Sequence, residues 1–327
     1  LIFLLIGIAL FWYAYRDMDF SGIQGVLNEL NYSWLLLSLL FAFVNLYIRA
    51  IRWKKLILPL NYKPKTYNLF ISIFVLYLTN LIIPRGGEVT RCGVITRYEK
   101  VPFTKLLGTV FIERLSDFLA FAVIMIVVLI WQFPFIKDLL TSSELEMDFS
   151  GLKSKSMITG IAIILLGILF FILRRYGFFK KIKAKLVKIK DDFLEGIKVI
   201  TKMEGMWIYI FQTFLIMGLW LLMFWVIFFA YAPTEHLTVK VAVFTYALGT
   251  LAYLLPIQAG IGVWHLIVIQ CLLLFGIDKE SGMMFALIAH TFSNIIYLVF
   301  GAIGLVLLPI INNNNNSPVL DANIRSL

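Results

Sequence analysis

Long apolar runs separated by short polar stretches make up most of the 327-residue chain. A helix that crosses a bilayer needs about 20 mostly apolar residues. Nine runs have this composition, although several are too short to cross alone: residues 1–15, 34–48, 67–83, 106–133, 157–173, 206–231, 241–255, 263–275 and 282–309. The pattern predicts an all-α, polytopic integral membrane protein with about seven to nine apolar segments.

The overall composition supports this class. Hydrophobic residues account for 61% of the chain and charged residues for 15%, whereas soluble domains are roughly half apolar and a quarter charged. The two cysteines, Cys92 and Cys271, lie far apart and form no metal-binding spacing. We therefore expect two free thiols, no metal, no cofactor and no nucleic-acid partner.

The net charge of +10 is unevenly distributed and predicts the topology. Residues 49–65 hold six basic residues and no acid, and residues 174–202 hold ten basic and three acidic residues. Both stretches are predicted to be loops on the cytoplasmic side of the membrane. We predict that this membrane is the bacterial cytoplasmic (inner) membrane. Residues 16–33 and 132–156 carry more acids than bases and are predicted to lie outside.

Two segments are predicted to stand apart from the spanning helices. Residues 176–202 place apolar side chains at spacings of three and four, which predicts a basic amphipathic helix on the cytoplasmic surface. Residues 310–327 read as a polar tail after a single transmembrane domain, residues 1–309.

The stretch PRGGEVTR follows an apolar run and contains the backbone-breaking residues Pro84, Gly86 and Gly87. If residues 67–83 crossed the membrane, the basic residues after the run would lie on the outer face. A re-entrant segment that enters, breaks at this point and returns keeps them inside. The alternative is an ordinary basic loop at the lipid headgroups.

A second stretch, LPIQAGIGVWH, repeats the arrangement with Pro256, Gly260 and Gly262. Each break precedes a helix with polar residues four apart, in ERLSD (residues 113–117) and HTFSN (residues 290–294). Residues 67–133 and 241–309 thus form two repeat-like units, unless the similarity is a coincidence. Transporters with internal repeats and broken helices bind substrate near the membrane midplane.

Charges within apolar helices are expensive in a bilayer, so they pair, face water or contact a ligand. Structural pairing and direct substrate contact remain open for the ERLSD charges, as do core packing and proton coupling for the two histidines. We predict no catalytic residue. The candidate substrate-binding residues are Asn45, Arg49, Arg85, Glu88, Arg91, Glu113, Arg114, Asp117, Gln258, His265, His290 and Asn294.

The motifs RAIRW (residues 49–53), PRGGEVTR, ERLSD and PIQAGIGVWH occur in an order that resembles the flippase-like membrane domain family of lysylphosphatidylglycerol synthases. The resemblance covers nearly the whole chain. Two positions depart from it: many members have an acid where this chain has His265, and often an arginine near His290. The residues after Pro309 leave no room for the aminoacyl-transferase domain of some members, so synthase activity is not expected.

The leading hypothesis is a transporter or flippase, not an enzyme, for an anionic amphipathic lipid or lipid-linked precursor. Its headgroup would enter a cavity lined by Arg85, Arg91 and Arg114, since arginine binds phosphate with a planar fork. One alternative is a membrane-embedded lipid-modifying transferase with Glu113 or Asp117 as base. Another is a scaffold that assembles envelope biosynthesis enzymes. The sequence indicates no oligomeric state.

Overall fold

The computed structural model describes residues 2–135, 137, 204–255 and 257–313. Within these ranges the secondary structure is helical, without strands, which confirms the predicted all-α class. The predicted span 157–173, the predicted amphipathic helix 176–202 and Pro256 lie outside the described residues, as does the chain from residue 314 onward.

Most helices follow the predicted apolar runs, and two do not. The helix α2 lies within residues 16–33, predicted above to be an external loop, and α5 carries the polar residues after the first break. Their bounds are α1 (Ile2–Tyr15), α2 (Ile23–Glu29), α3 (Tyr32–Ile57), α4 (Thr66–Ile82), α5 (Gly87–Glu99), α6 (Phe103–Trp131), α7 (Met206–Phe228), α8 (Val239–Leu251), α9 (Val263–Leu274) and α10 (Lys279–Asn312).

Among the described helices, four are long and apolar enough to cross a membrane: α3, α6, α7 and α10. The helices α1, α4, α8 and α9 are apolar but shorter. This combination of long and short apolar helices is that of an integral membrane protein.

Two of the long helices begin at a side-chain cap. Asn31 accepts a hydrogen bond from the Ser33 amide at the start of α3, and Asp278 accepts one from the Ser281 amide at the start of α10. Asp278 accepts hydrogen bonds from both the backbone and the side chain of Ser281, and these hold the pKa of Asp278 below its usual range. The cap therefore contributes stability above the ordinary aspartate pKa, and this contribution is lost as pH falls through the lowered value.

The helix α3 corrects one prediction. Residues 49–57, assigned above to the cytoplasmic loop 49–65, continue the helix as far as Ile57. Arg49 and Arg52 are buried, because carboxylates from other helices neutralise them. These two arginines therefore belong to the interior of the protein. Within residues 49–65, only the lysines after Arg52 still favour a cytoplasmic location.

The first break joins α4 to α5 through a tight turn. The Asn80 side chain accepts a hydrogen bond from the Gly87 amide at 2.9 Å, and a Cβ atom at Gly87 would overlap the Leu76 carbonyl. Arg85 has a φ of 61°, which is uncommon outside glycine. The turn brings α5 back against α4, so that the two helices pack together.

The second break, between α8 and α9, consists of two short 3-10 turns, Ala252–Leu254 and Gln258–Gly260. It too contains a non-glycine residue with positive φ, Ala259 at 48°. Gly262, with φ of 83°, lies directly against α1, where an added Cβ would stand 2.5 Å from the Gly7 carbonyl oxygen. Both breaks thus have backbone conformations that local sequence alone does not favour.

The helices α4 and α10 pack closely along glycines. An added Cβ at Gly301 would overlap the Cβ of Leu78 and meet the Phe74 carbonyl oxygen at 3.0 Å, and one at Gly304 would meet Ile71. Small residues allow such close approach of membrane helices, where packing replaces the hydrophobic effect as the source of association.

We predict that Gly301→Ala lowers the melting temperature in detergent, with a destabilisation of about 1 to 3 kcal/mol, because the methyl group has no space against the α4 backbone. Gly218→Ala on α7 is the matched control, since nothing lies within 4 Å of its added Cβ. Thermal unfolding of both variants checks the prediction. Equal melting temperatures would show that α4 and α10 are not so tightly joined.

Candidate functional site

A cluster of seven charged side chains joins α3, α5 and α6. Its centre is Glu113, whose side chain is fully buried. Four guanidinium groups lie within ion-pair distance of the Glu113 carboxylate: Arg114 at 2.5 Å, Arg91 at 3.0 Å, Arg49 at 3.2 Å and Arg52 at 3.4 Å. We call these residues, together with Glu88 and Asp117, the arginine cluster.

The two other carboxylates flank the centre. Glu88 lies 2.6 Å from Arg91 Nε and 3.4 Å from Arg49, and Asp117 lies 2.6 Å from Arg52 and 3.0 Å from Arg114. Every arginine of the cluster is thereby near at least two carboxylates. This sharing is what a low-dielectric interior requires of buried charges.

The sequence places these side chains on single helix faces. Arg49 and Arg52 are three apart on α3, as are Glu88 and Arg91 on α5, and Glu113 and Asp117 are four apart on α6. Residues three or four apart on a helix lie on the same side. Three short motifs therefore supply the whole cluster.

Neutral side chains complete the cluster. Arg49 donates to the Tyr77 hydroxyl at 2.5 Å, and Arg52 donates to the Thr213 hydroxyl at 3.0 Å. The Arg91 guanidinium lies 4.2 Å from the centre of the Trp53 ring. Cation–π contact and hydrogen bonds reduce the cost of burying these charges.

Arg52 and Tyr77 were not among the predicted site residues. Arg52 carries a detectable signal, since it lies in the RAIRW motif one helical turn after Arg49. Tyr77 carries none, because a tyrosine within an apolar run is equally typical of packing.

A cavity of about 580 Å³ adjoins the arginine cluster. Its charged lining comes from Arg49, Arg85, Arg114 and Asp117. The Arg114 side chain is 41% exposed, the highest value in the cluster, and so the cluster meets the cavity chiefly there. The remainder of the lining is largely apolar and aromatic, including Tyr77, Phe118, Phe121, Trp220, Phe224, Tyr246, Tyr253, Trp264 and Tyr297.

Both breaks border this cavity. Pro84 and Arg85 line it from the first, and Leu254, Leu255, Ile257 and Ala259 line it from the second. The Arg85 guanidinium donates a hydrogen bond to the Leu254 carbonyl at 2.7 Å and so bridges the two breaks.

The second break is held from α10 by His290. Its Nε2 lies 2.8 Å from the Ala259 carbonyl, to which it donates, and its Nδ1 accepts from the Asn294 amide at 2.9 Å. A neutral ring with the proton on Nε2 satisfies both bonds. His290 and Asn294, four apart on α10, therefore fix the carbonyl of a residue with positive φ.

His265 has a different environment. It is buried, its Nδ1 accepts from the Gly262 amide at 3.3 Å, and its ring contacts Phe11, Tyr15 and His290. These contacts stabilise the start of α9 against α1. His265 does not line the cavity.

The structure thus separates the predicted site residues into three groups: those that line the cavity, those behind them in the arginine cluster, and those that belong to neither. Arg49, Arg85, Arg114, Asp117, His290 and Asn294 line the cavity. Glu88, Arg91 and Glu113 lie behind them in the cluster. Asn45 donates to the Ile216 carbonyl at 2.8 Å and joins α3 to α7, and Gln258 is buried in the second break.

Metal binding has no support in this arrangement. Among the residues that the structure describes, no group of three or more His, Cys, Asp or Glu side chains is placed to hold a metal ion. The carboxylates of the arginine cluster face guanidinium groups instead.

The sequence profile described as the lysylphosphatidylglycerol synthase TM region matches residues 1–301, which include both breaks and the whole arginine cluster. The chain belongs to this family. No curated protein and no solved structure matches it significantly. Membership of this lysylphosphatidylglycerol synthase TM family indicates a function related to membrane lipids.

We predict that Glu113→Gln destabilises the protein by about 3 to 5 kcal/mol, because it leaves the surrounding guanidinium groups without their shared carboxylate. Asp17→Asn is the control: Asp17 forms an exposed ion pair with Lys279 at 3.0 Å, and its replacement should leave stability close to wild type. Thermal unfolding in detergent measures both. Similar melting temperatures for the two variants would contradict a central role for Glu113.

Proposed function

We propose that this protein moves an anionic amphipathic lipid between the leaflets of the membrane, without converting it chemically. The observation that supports the proposal most is the cavity beside the arginine cluster, whose lining combines arginine side chains with a largely aromatic or apolar surface. A lipid likewise combines a charged headgroup with apolar chains.

Arg114 and Arg85 are the residues that would contact the headgroup. Both line the cavity, and guanidinium groups bind phosphate through charge-assisted hydrogen bonds. Asp117 lies 3.0 Å from Arg114 and holds it in position. Arg91 and Arg52 are fully buried behind them and would act by positioning Glu88, Glu113 and Asp117.

The cavity volume fits a headgroup with the beginning of its chains. Sites for small molecules commonly measure 300–1,000 Å³, and this cavity of about 580 Å³ falls within that range. The rest of a lipid would stay among the exposed apolar side chains, such as Phe118, at 60% exposed, and Leu254, at 57%.

The breaks would provide the path across the membrane. We propose that α4 and α5 form a re-entrant pair, that residues 252–262 form its counterpart in the second repeat unit, and that the headgroup passes between them. Irregular backbone is tolerated at membrane depth where it lines a wet cavity. The sequence contains no ATP-binding loop, and the minimal mechanism is therefore facilitated exchange down a gradient.

We predict that liposomes containing the purified protein exchange a labelled anionic phospholipid between leaflets, and that Arg114→Gln or Arg85→Gln lowers this rate at least about tenfold. Each change removes charge-assisted hydrogen bonds to the headgroup, and such bonds contribute about 1.5 to 3 kcal/mol each. Dithionite reduction of a fluorescent lipid, which reports outer-leaflet label only, measures the rate.

Arg16→Gln serves as the control, because Arg16 is exposed and does not line the cavity. Melting temperatures measured on the same samples separate lost recognition from lost folding. If the wild-type protein moves none of several anionic lipids yet modifies a lipid when supplied with an activated donor, the transferase hypothesis replaces this proposal.

A further inference from the structure

We infer that the cavity selects a headgroup that presents two negative charges, as a terminal phosphomonoester or a diphosphate does, over singly charged phosphodiesters. This inference rests on the proposed function and specifies the chemistry of its substrate. It follows from the balance of charge around the cavity.

The arginine cluster does not balance internally. It contains four guanidinium groups, on Arg49, Arg52, Arg91 and Arg114, but only three carboxylates, on Glu88, Glu113 and Asp117. One positive charge is therefore in excess. Arg114 lies near all three carboxylates, but its side chain is 41% exposed, whereas the other three arginines are almost completely buried. The excess charge is therefore accessible from the cavity chiefly at Arg114.

Arg85 adds a second positive charge. Among the described residues, its guanidinium bonds to the neutral Leu254 carbonyl and has no carboxylate within ion-pair distance. Asp117, the one acidic side chain among the described residues that line the cavity, is already engaged by Arg52 and Arg114. One excess positive charge in the arginine cluster and one on Arg85 are therefore not balanced by a carboxylate in the part of the chain that the structure describes.

Arg85 is exposed and Arg114 is 41% exposed, so both guanidinium groups are open to an anion that enters the cavity. The favoured occupant is the anion that forms charge-assisted hydrogen bonds with both. A phosphodiester supplies one negative charge and leaves one arginine unpaired. A phosphomonoester supplies close to two above its second pKa, which is about 6, and a diphosphate supplies at least two. The inference requires that such a headgroup contact both Arg114 and Arg85, which line the same cavity.

The other titratable side chains that face the cavity do not change this count near neutral pH. The imidazole of His290 is neutral in its bonds to Ala259 and Asn294. The remaining such side chains are uncharged phenols: Tyr77, Tyr246, Tyr253 and Tyr297.

The test is equilibrium binding of short-chain lipids to the whole chain in nonionic detergent. The intrinsic tryptophan fluorescence of the protein reports binding. The lipids differ only in headgroup: phosphatidic acid as the phosphomonoester, phosphatidylglycerol as the phosphodiester, and zwitterionic phosphatidylcholine. At pH 7.5 we expect phosphatidic acid to bind about tenfold more tightly than phosphatidylglycerol, as expected for one additional charged hydrogen bond.

The pH dependence provides an independent readout. Between pH 5 and 7.5 the affinity for phosphatidic acid should rise several-fold, because the phosphomonoester gains its second charge near pH 6. The affinity for phosphatidylglycerol should stay nearly constant. Titration of a protein group such as His290 would change the affinity for both lipids. The phosphodiester therefore acts as the internal control.

Arg85→Gln removes one of the two excess charges and is expected to abolish the preference for phosphatidic acid and its pH dependence, while binding of phosphatidylglycerol persists. Arg16→Gln should behave as wild type. Equal affinity of the wild-type protein for both lipids, or a preference that survives Arg85→Gln, would overturn the inference. In that case lipid exchange in liposomes would still support the proposed function.

A separate arm distinguishes a lipid phosphate from a soluble one. Inorganic phosphate and pyrophosphate are added as competitors at pH 7.5. We expect either to compete only at concentrations far above that of the lipid, because neither fills the apolar part of the cavity. If pyrophosphate binds as tightly as phosphatidic acid and the liposomes show no exchange, the site belongs to a soluble phosphate and the proposed function fails with it.

Discussion

The buried carboxylate of Glu113 is the constraint on which the arrangement of α3, α5 and α6 depends. A single charge in an apolar interior costs several kcal/mol unless it is paired and hydrogen-bonded. Here one carboxylate is shared by guanidinium groups from three helices, so each helix must present its arginine at a fixed depth and rotation. The ion pairs thereby set the register of the helices, which apolar contacts with lipid-like surfaces specify only weakly.

The same constraint explains where the cavity is polar. Arg52 and Arg91 are held away from it by their carboxylates, while Arg114 reaches its edge. The function proposed above requires a place where a charged headgroup is stable. An arginine that is fixed by neighbouring acids, and yet partly exposed, would meet this requirement with little reorganisation when a headgroup binds.

Much of the fold could be predicted from the sequence, because apolar runs and Pro/Gly breaks are local signals. The course of α3 could not. Arg49 and Arg52 follow an apolar run and resemble the start of a basic loop, and only the fold shows that Glu113 lies beside them although it is more than 60 residues away in the chain. Without that partner, the apolar pattern predicts a helix that ends before Arg49.

The candidate site was predictable in its chemistry and less so in its geometry. The charges on α5 and α6 identify residues that must meet something polar, but they do not indicate which of them face a ligand. Arg91 and Arg114 are both arginines within polar motifs, yet one is enclosed over Trp53 and the other is exposed. That difference depends on how the helices pack, for example on the close approach of Gly87 in α5 to the Leu76 carbonyl in α4, rather than on any pattern of charge.

The close glycine contact between α4 and α10 has a mechanical consequence. The first break is the direct continuation of α4, and the second is bonded to α10 through His290 and the Ala259 carbonyl. Because Gly301 and Gly304 allow α4 and α10 to pack in close contact, the two helices form one tightly packed pair to which both breaks are attached. If the cavity widens during the proposed lipid movement, we therefore expect α6 and α7, which also line it, to move more than α4 and α10.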